Sequence, residues 1–257
     1  MPDLRLLAQR LGGLPEWPMR EARLRDELLC LPPERIVHAV ERILRLVRQQ
    51  RNALYIPYIS LLRLAVRLDA EMPHAMREWM YLSAESRHYW AAAFFSHPSD
   101  EEDPDLVAAR PDAEIASLSL GERKARVRRA TARDLERFFA VDHPHVVEIL
   151  LSHPAMTDRL MVRYCARRPA AGALPLAVAC HPRWVQFPDI IDALVQNPTV
   201  PQWLALKLLP LASDTALMEL DRQESGGRGP SRADIRRWAG RLRRGPEAEP
   251  NQWQAEE

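Results

Sequence analysis

Short apolar segments alternate with polar-proline pairs between residues 143 and 212. The pairs are His143-Pro144, His153-Pro154, Arg168-Pro169, His181-Pro182 and Asn197-Pro198. Proline lacks a backbone N–H and has a fixed φ, so it suits the first turn of a helix and disrupts a helix interior. The residue before proline is also pushed out of the helical region. The pattern therefore predicts a series of short helices, with one helix ending and another able to begin at each pair.

Alternate proline marks recur at a similar distance, although the intervals between consecutive marks are uneven. Pro154 and Pro182 are 28 residues apart, and Pro169 and Pro198 are 29 residues apart. That length holds two short helices and two turns, and periods of roughly 20 to 50 residues are typical of solenoids, whose repeats bury their apolar faces against their neighbours. We therefore expect an all-α protein with a solenoid of short helical repeats in its second half.

The first part of the chain predicts an N-terminal helical bundle. The clearest helix is 34–50, in which Ile36, Val40, Ile43 and Val47 share one face at a spacing of three and four residues. Further helices are predicted over 3–11, 19–29, 52–68 and 73–90.

Composition and capping signals divide the chain further. The acidic, proline-containing stretch after residue 96 is typical of a linker. Ser119-x-x-Glu122, Thr131-x-x-Asp134 and Ser231-x-x-Asp234 match capping boxes, which begin helices. We expect Thr131 to begin a helix over 131–140 and Ser213 to cap one that runs through Leu220. The expected organisation is a bundle over 1–95, a linker over 96–116, repeats over 117–222, a flexible linker over 223–230, an amphipathic helix over 231–244 and a disordered tail over 245–257.

Overall composition is that of an ordinary protein outside the membrane. The 257 residues carry a formal net charge of +1, and 47% of them are hydrophobic. We find neither a secretory signal nor an apolar run of roughly 18 residues, so we expect a cytoplasmic protein without membrane insertion. Cys30, Cys165 and Cys180 form no CxxC pair, and we interpret them as reduced, buried thiols.

A family resemblance supports the repeat interpretation. The run LSLGERKARVRRATARDLERFFAVDHPHVVEILLSHPAMTDRLMVRYCARRP, with the later QNPTVPQWLALKLLP, resembles bacterial helical-repeat proteins of the HEAT-like and leucine-rich-repeat-variant type. The resemblance covers about Ser117 to Leu220. It implies short helices stacked into a curved solenoid and a binding scaffold, and it carries no catalytic residues to transfer. Some leucine-rich-repeat-variant proteins hold an iron–sulfur cluster in an N-terminal cysteine cluster, but Cys30 stands alone in this half of the chain.

Histidines in the repeat region have two interpretations. His143, His145, His153 and His181 are residue types that bind zinc when three or four of them converge. However, His143, His153 and His181 occupy the place before proline that Asn197 also occupies. Since Asn accepts a hydrogen bond from a free N–H at a helix start, and a neutral imidazole nitrogen can do the same, we interpret these residues as caps. We predict no metal and no cofactor.

The sequence favours a binding protein over an enzyme. It contains none of HExxH, GxSxG, GxGxxG or a phosphate-binding glycine loop, and His145 with Glu148 is a common spacing. We therefore predict a non-enzymatic scaffold that binds another protein, while a hydrolase or transferase with an unrecognised site stays a third hypothesis. Two tryptophans in the repeats are candidate anchors for a partner, although core packing is the favoured alternative: Trp184 and Trp203.

Arginine clusters support a second functional hypothesis, which is nucleic-acid binding. One cluster lies within 123–137 and the other within 232–244. Such residues neutralise phosphates, although solvated helix faces and nearby acidic residues are the alternative explanation. The candidate residues are Arg126, Arg128, Arg129, Arg133, Arg236, Arg237 and Arg241.

Overall fold

A computed structural model describes residues 4–49, 55–71, 74–87, 89–96, 112–141, 143–169, 174–222 and 233–244. Within these ranges the chain forms helices and turns and no β-strand, which confirms the all-α prediction. The helices are α1 (Leu4–Gly12), α2 (Trp17–Leu29), α3 (Pro33–Gln49), α4 (Tyr55–Glu71), α5 (His74–Ser86), α6 (Ala91–Phe95), α7 (Ala113–Ser117), α8 (Leu120–Arg128), α9 (Ala132–Leu135), α10 (Pro144–Leu151), α11 (Asp158–Ala166), α12 (Leu174–Ala179), α13 (Pro188–Gln196), α14 (Gln202–Leu208), α15 (Asp214–Arg222) and α16 (Ala233–Arg244).

The chain divides into two compact units. The first comprises residues 1–97 together with 214–257, and the second comprises residues 98–213. The first unit therefore combines the N-terminal helices with α15 and α16, whereas the sequence-based division places 214–222 with the repeats and treats 231–244 as a separate helix.

The first unit is built around α3. This helix begins at Pro33, a residue suited to the first turn. Its apolar stripe is buried as the three-and-four spacing predicts, with Ile43, Leu44 and Val47 inaccessible to solvent. Helix α3 packs against α4, α5 and α6, while α2 packs against α1 and α4.

A buried carboxylate joins α3 to α6. Glu41 accepts hydrogen bonds from Arg45 Nε at 2.6 Å and from the backbone N–H of Ala91 at 2.8 Å. Burial raises the pKa of the Glu41 carboxyl, and the bonds from Arg45 and Ala91 oppose that rise. The carboxylate satisfies a backbone donor that would otherwise be buried at the start of α6.

Ion pairs attach α15 and α16 to the N-terminal helices. Glu85 on α5 pairs with Arg237 and, at 2.8 Å, with Arg241. Arg48 at the end of α3 pairs with Asp214 at the start of α15. The buried faces of the two C-terminal helices include Leu217, Leu220, Ile235, Trp238 and Leu242.

In the second unit, alternate helices contact each other along the chain. Helix α10 contacts both α8 and α12, and α12 contacts α14. Helix α11 contacts α13, and α13 contacts α14 and the 3₁₀ turn 209–211. Helices α8, α10, α11 and α12 therefore each pack against the helix two places further along the chain, whereas α13 packs against the next helix, α14.

Two of the expected capping boxes are present in the second unit. Ser119 and Glu122 exchange hydrogen bonds at the start of α8, and Thr131 and Asp134 do so at the start of α9. The helix expected over 131–140 is shorter, because α9 ends at Leu135 and continues as a 3₁₀ turn over 136–138.

Several expectations fall on stretches that the structure does not describe. The start of the Ser231 box, the linker over 223–230, the tail over 245–257 and most of the linker over 96–116 lie outside the described residues. Residues 113–116 of that linker are described, and they form most of α7.

Helix α15 directly follows Ser213, as expected. The backbone N–H and the hydroxyl of Ser213 donate hydrogen bonds to the Asp192 carboxylate at 2.8 Å and 2.5 Å.

Candidate functional site

The polar residue before each of four prolines makes the same hydrogen bond. In every case its side chain accepts from the backbone N–H two residues later, which confirms the acceptor role expected of these residues. The distances are 3.3 Å from His145 to His143 Nδ1, 3.1 Å from Ala155 to His153 Nδ1, 3.3 Å from Arg183 to His181 Nδ1 and 3.0 Å from Thr199 to Asn197 Oδ1. An imidazole nitrogen can accept a hydrogen bond only in its unprotonated form.

The position of these caps corrects one part of the sequence interpretation. Only His143 directly precedes a helix, α10. The other three residues follow α10, α12 and α13 and begin turns, and the next helices start several residues later. The polar-proline pairs after α10, α12 and α13 therefore end one helix without starting the next.

Two buried side chains connect successive parts of the second unit. Asn197 Nδ2 donates to the carbonyl oxygens of Cys165 at 2.7 Å and of Arg167 at 2.9 Å, at the end of α11. Trp184 Nε1 donates to the carbonyl oxygen of Leu151 at 2.8 Å, at the end of α10. The last carbonyls of a helix lack intrahelical partners, so donors from the following part of the chain satisfy them.

Arginines make further bonds over a similar sequence distance. Arg183 Nη2 donates to the Met156 carbonyl at 3.2 Å across 27 residues. Arg163 binds both carboxylate oxygens of Glu136 at 2.6 Å and 3.1 Å, also across 27 residues. Like the bonds from Asn197 and Trp184, these contacts join residues that are about as far apart in sequence as alternate proline marks.

The two candidate tryptophan anchors have different environments. Trp184 is completely buried and is one of the largest buried side chains in the described core. Its ring is not available to a partner, and the core-packing alternative applies to it. Trp203 is half-buried, and Lys207 Nζ lies 5.9 Å from the centre of its ring.

The exposed aromatic residue of this region is Phe187, which lies close to Trp184, with 6.0 Å between the two ring centres. Trp184 and Phe187 are both large apolar residues that follow a proline. The sequence pattern alone therefore could not indicate that Trp184 is buried and Phe187 is exposed.

The first arginine cluster surrounds an acidic segment at the start of α7. Arg137 donates from Nε to Asp112 at 3.0 Å and from Nη2 to Glu114 at 2.5 Å, and Arg126 also pairs with Glu114. These hydrogen bonds from Arg137 and Arg126 lower the pKa of both carboxyl groups, so both are ionised near neutral pH.

Three other arginines of this cluster are exposed. The side chains of Arg128, Arg129 and Arg133 form no hydrogen bond or ion pair with any other residue that the structure describes. Arg128 and Arg129 lie at the C-terminal end of α8, and Arg133 lies on α9. They are the part of the cluster that is open to an anionic partner.

A cleft of about 500 Å³ lies beside these arginines. It combines guanidinium groups, two carboxylates and an apolar wall. The lining residues are Leu118, Glu122, Ala125, Arg126, Arg129, Ala130, Asp134, Arg137 and Phe138. Its volume is in the range of sites that hold small molecules or a few side chains.

The second arginine cluster is different because its side chains are mostly paired. Arg237 and Arg241 bind Glu85 and lie 5.6 Å and 4.3 Å from the centre of the Trp238 ring. Arg243 pairs with Asp221, and Arg236 is half-buried. These contacts join α16 to α5 and α15, which belong to the same first unit. Arg126, Arg128, Arg129 and Arg133 belong to the second unit.

The described residues contain no group of three or more His, Cys, Asp or Glu side chains that could hold a metal ion. They also contain no helix that is both long and apolar enough to cross a bilayer. All three cysteines are free, but Cys30 is exposed, which corrects its expected burial. Burial raises the pKa of the Cys165 thiol well above its ordinary value, so this thiol is protonated and unreactive.

Comparisons with protein-family models, with curated proteins and with solved structures find no match for this chain. The resemblance to helical-repeat proteins therefore rests on the sequence motifs alone.

Proposed function

We propose that this chain is a non-enzymatic helical-repeat scaffold that binds another protein through its second unit. The observation that carries the proposal is the recurring bond across about thirty residues, from Trp184 to Leu151 and from Asn197 to Cys165. Solenoid repeats are held together by such contacts between neighbours, and they present extended surfaces that commonly bind partners.

The contacts between alternate helices support the same architecture. In a HEAT-like solenoid the first helices of successive repeats pack in one row and the second helices in another. The contacts of α10 with α12 and of α11 with α13 fit this arrangement. The polar-proline turns end three of the helices, since the caps of His153, His181 and Asn197 follow α10, α12 and α13.

Site-directed photo-crosslinking tests the protein-binding proposal. A photoreactive residue is placed in the full-length chain at exposed positions of the second unit, Ala125, Glu148, Arg159 and Asp189. Leu82 is 56% exposed in the first unit and serves as the control position. In extracts of the source cells we expect a discrete crosslinked protein from at least one second-unit position, and none from Leu82. The identified protein is then purified and must bind the isolated chain with a defined stoichiometry.

Two results would contradict the proposal. One is that no second-unit position crosslinks to a protein that later binds the purified chain. The other is equal crosslinking from Leu82, which would place the contact outside the second unit or mark it as nonspecific.

Nucleic-acid binding is the second candidate function. It is favoured by one observation, the exposure of Arg128, Arg129 and Arg133 without a described acidic partner. Binding through these residues would weaken as salt rises, in proportion to the number of phosphates contacted. We expect a double-stranded or single-stranded oligonucleotide titrated at rising salt to separate this candidate from the scaffold. Unchanged binding by the Arg128→Glu/Arg129→Glu double variant would exclude these arginines.

A further inference from the structure

We infer that the arginine-lined cleft between α8 and the 136–138 turn is the docking site for an acidic peptide segment of the protein partner. This inference rests on the proposed scaffold function and names the part of the second unit that makes the contact. Three guanidinium groups face the cleft, from Arg126, Arg129 and Arg137.

The chain's own residues show the chemistry that these arginines recognise. Arg137 holds Asp112 through two hydrogen bonds of 3.0 Å and 3.1 Å, and it shares Glu114 with Arg126. Planar guanidinium groups match carboxylates in this way. Two of the three cleft arginines, Arg126 and Arg137, thus already bind carboxylates of the chain itself.

Arg129 supplies the open position. It lines the same cleft, it is exposed, and its side chain has no ion pair among the described residues. It directly follows the last residue of α8. A carboxylate from a partner can bind Arg129 without displacing Asp112 or Glu114.

The two acidic residues of the cleft restrict what else can bind. Glu122 and Asp134 line it, and each is held by a capping box whose hydrogen bonds lower the pKa of its carboxyl group. Both groups therefore stay negatively charged near neutral pH. A phosphate backbone carries charge at every nucleotide and would meet these carboxylates, whereas a peptide can place a single carboxylate at Arg129.

The remaining wall of the cleft is apolar. Leu118, Ala125 and Phe138 contribute to it, and the volume of about 500 Å³ suits a few side chains and not a duplex. The expected ligand is therefore a short segment in which an acidic residue stands beside an aliphatic one.

A peptide-binding assay on the full-length protein tests this inference. The probe, called the Glu-Leu peptide, is a fluorescein-labelled peptide with a single Glu residue flanked by Leu residues, and its binding is followed by fluorescence anisotropy at low salt. A Gln-Leu peptide and a labelled single-stranded oligothymidylate are the comparison probes. We expect the Glu-Leu peptide to bind and the Gln-Leu peptide to bind at least tenfold more weakly. The oligothymidylate should not compete with the Glu-Leu peptide for the protein.

Charge reversal inside and outside the cleft identifies the site. Arg129→Glu should weaken binding of the Glu-Leu peptide about tenfold, which is the scale of one close charge pair. Arg129→Gln should weaken it less. Arg159→Glu is the matched control, because Arg159 is exposed on α11 in the same unit and outside the cleft, and it should leave binding unchanged. Unchanged thermal melting confirms that each variant is folded.

Three results would overturn the inference. They are the absence of Glu-Leu peptide binding, equal weakening by Arg129→Glu and Arg159→Glu, and stronger binding of oligothymidylate that Arg129→Glu abolishes. The first two leave the scaffold proposal intact if the crosslinked partner still binds the Arg129→Glu variant. The third would favour the nucleic-acid alternative instead.

Discussion

The side-chain amide of Asn197 donates a hydrogen bond of 2.7 Å to the main-chain carbonyl of Cys165, 32 residues earlier. The same side chain accepts from the Thr199 backbone N–H at 3.0 Å. Asn197 is only 1% exposed, so both ends of one amide are used in the interior of the second unit. One residue therefore fixes its own turn and joins that turn to the end of α11.

Substituting Asn197 tests this double role. Asn197→Ala should lower the free energy of unfolding by about 2–3 kcal/mol, because it removes the cap and leaves buried carbonyls without a donor. Asn197→Asp should cost more than the Ala variant, because a buried carboxylate would face the carbonyl oxygens of Cys165 and Arg167. Urea denaturation measures both. An Asp variant as stable as the wild type would show that the bonds across the repeats contribute nothing.

The Trp184 side chain should contribute mainly to the stability of the core. Trp184→Ala is expected to destabilise the protein by about 3–5 kcal/mol through the cavity it leaves. Trp184→Phe should cost about 1–2 kcal/mol, since it keeps most of the ring and loses the bond from Nε1 to the Leu151 carbonyl. The comparison is Trp203→Ala, which should cost less because Trp203 is half-buried. If Trp203→Ala is the more damaging change, the assignment of Trp184 to the core is wrong.

Acid should weaken the fold through His181. Burial first, and then the positive charge of Arg183, lower the pKa of His181 below its ordinary value of 6.5. The folded protein therefore binds a proton at His181 less readily than the unfolded chain does. This contribution to stability is present above about pH 6.5 and is lost as the pH falls through the folded-state pKa.

The control for this pH effect is His181→Asn. Asn can accept the bond from the Arg183 N–H as Asn197 does from Thr199, and it does not titrate. We expect this variant to lose less stability than the wild type between pH 7.5 and pH 5 in thermal melts. Identical pH profiles for the two proteins would contradict the prediction.

Gly240 allows α16 to approach α15 closely in the first unit. A Cβ atom at this position would lie 2.7 Å from Asp221 Oδ1. Gly240→Ala should displace the Asp221 carboxylate and weaken its ion pair with Arg243, which offsets part of the gain of about 1 kcal/mol that Ala has over Gly in a helix. In an Asp221→Ala background the same change should be stabilising by up to that amount, because the obstructing carboxylate is gone. Urea denaturation of the four proteins gives the coupling, and additive effects would rule out the close contact.

Local features of the fold could be predicted from the sequence. The stripe of α3, the boxes at Ser119 and Thr131 and the caps at His153 and Asn197 depend on residues within a few positions of each other. Helical periodicity and hydrogen-bonding chemistry act at that range, so one sequence is sufficient to indicate them.

Contacts over long sequence distances could not be predicted. The bond between Arg237 and Glu85 spans 152 residues, and no pattern in the arginine-rich C-terminal segment indicates that partner. The sequence therefore identified Arg126, Arg129 and Arg237 as equivalent candidates. Only the structure separates Arg237, which is paired within the first unit, from Arg129, which is open to a ligand.

The bond from Trp184 to the Leu151 carbonyl has a consequence for how such a chain can change in length. The end of α10 is completed by a residue from the following segment and not by its own. Removing the segment that carries Trp184 would leave the Leu151 carbonyl without this donor, at a place where the helix itself supplies none. A chain boundary placed between α10 and Trp184 would therefore remove a bond that completes the end of α10.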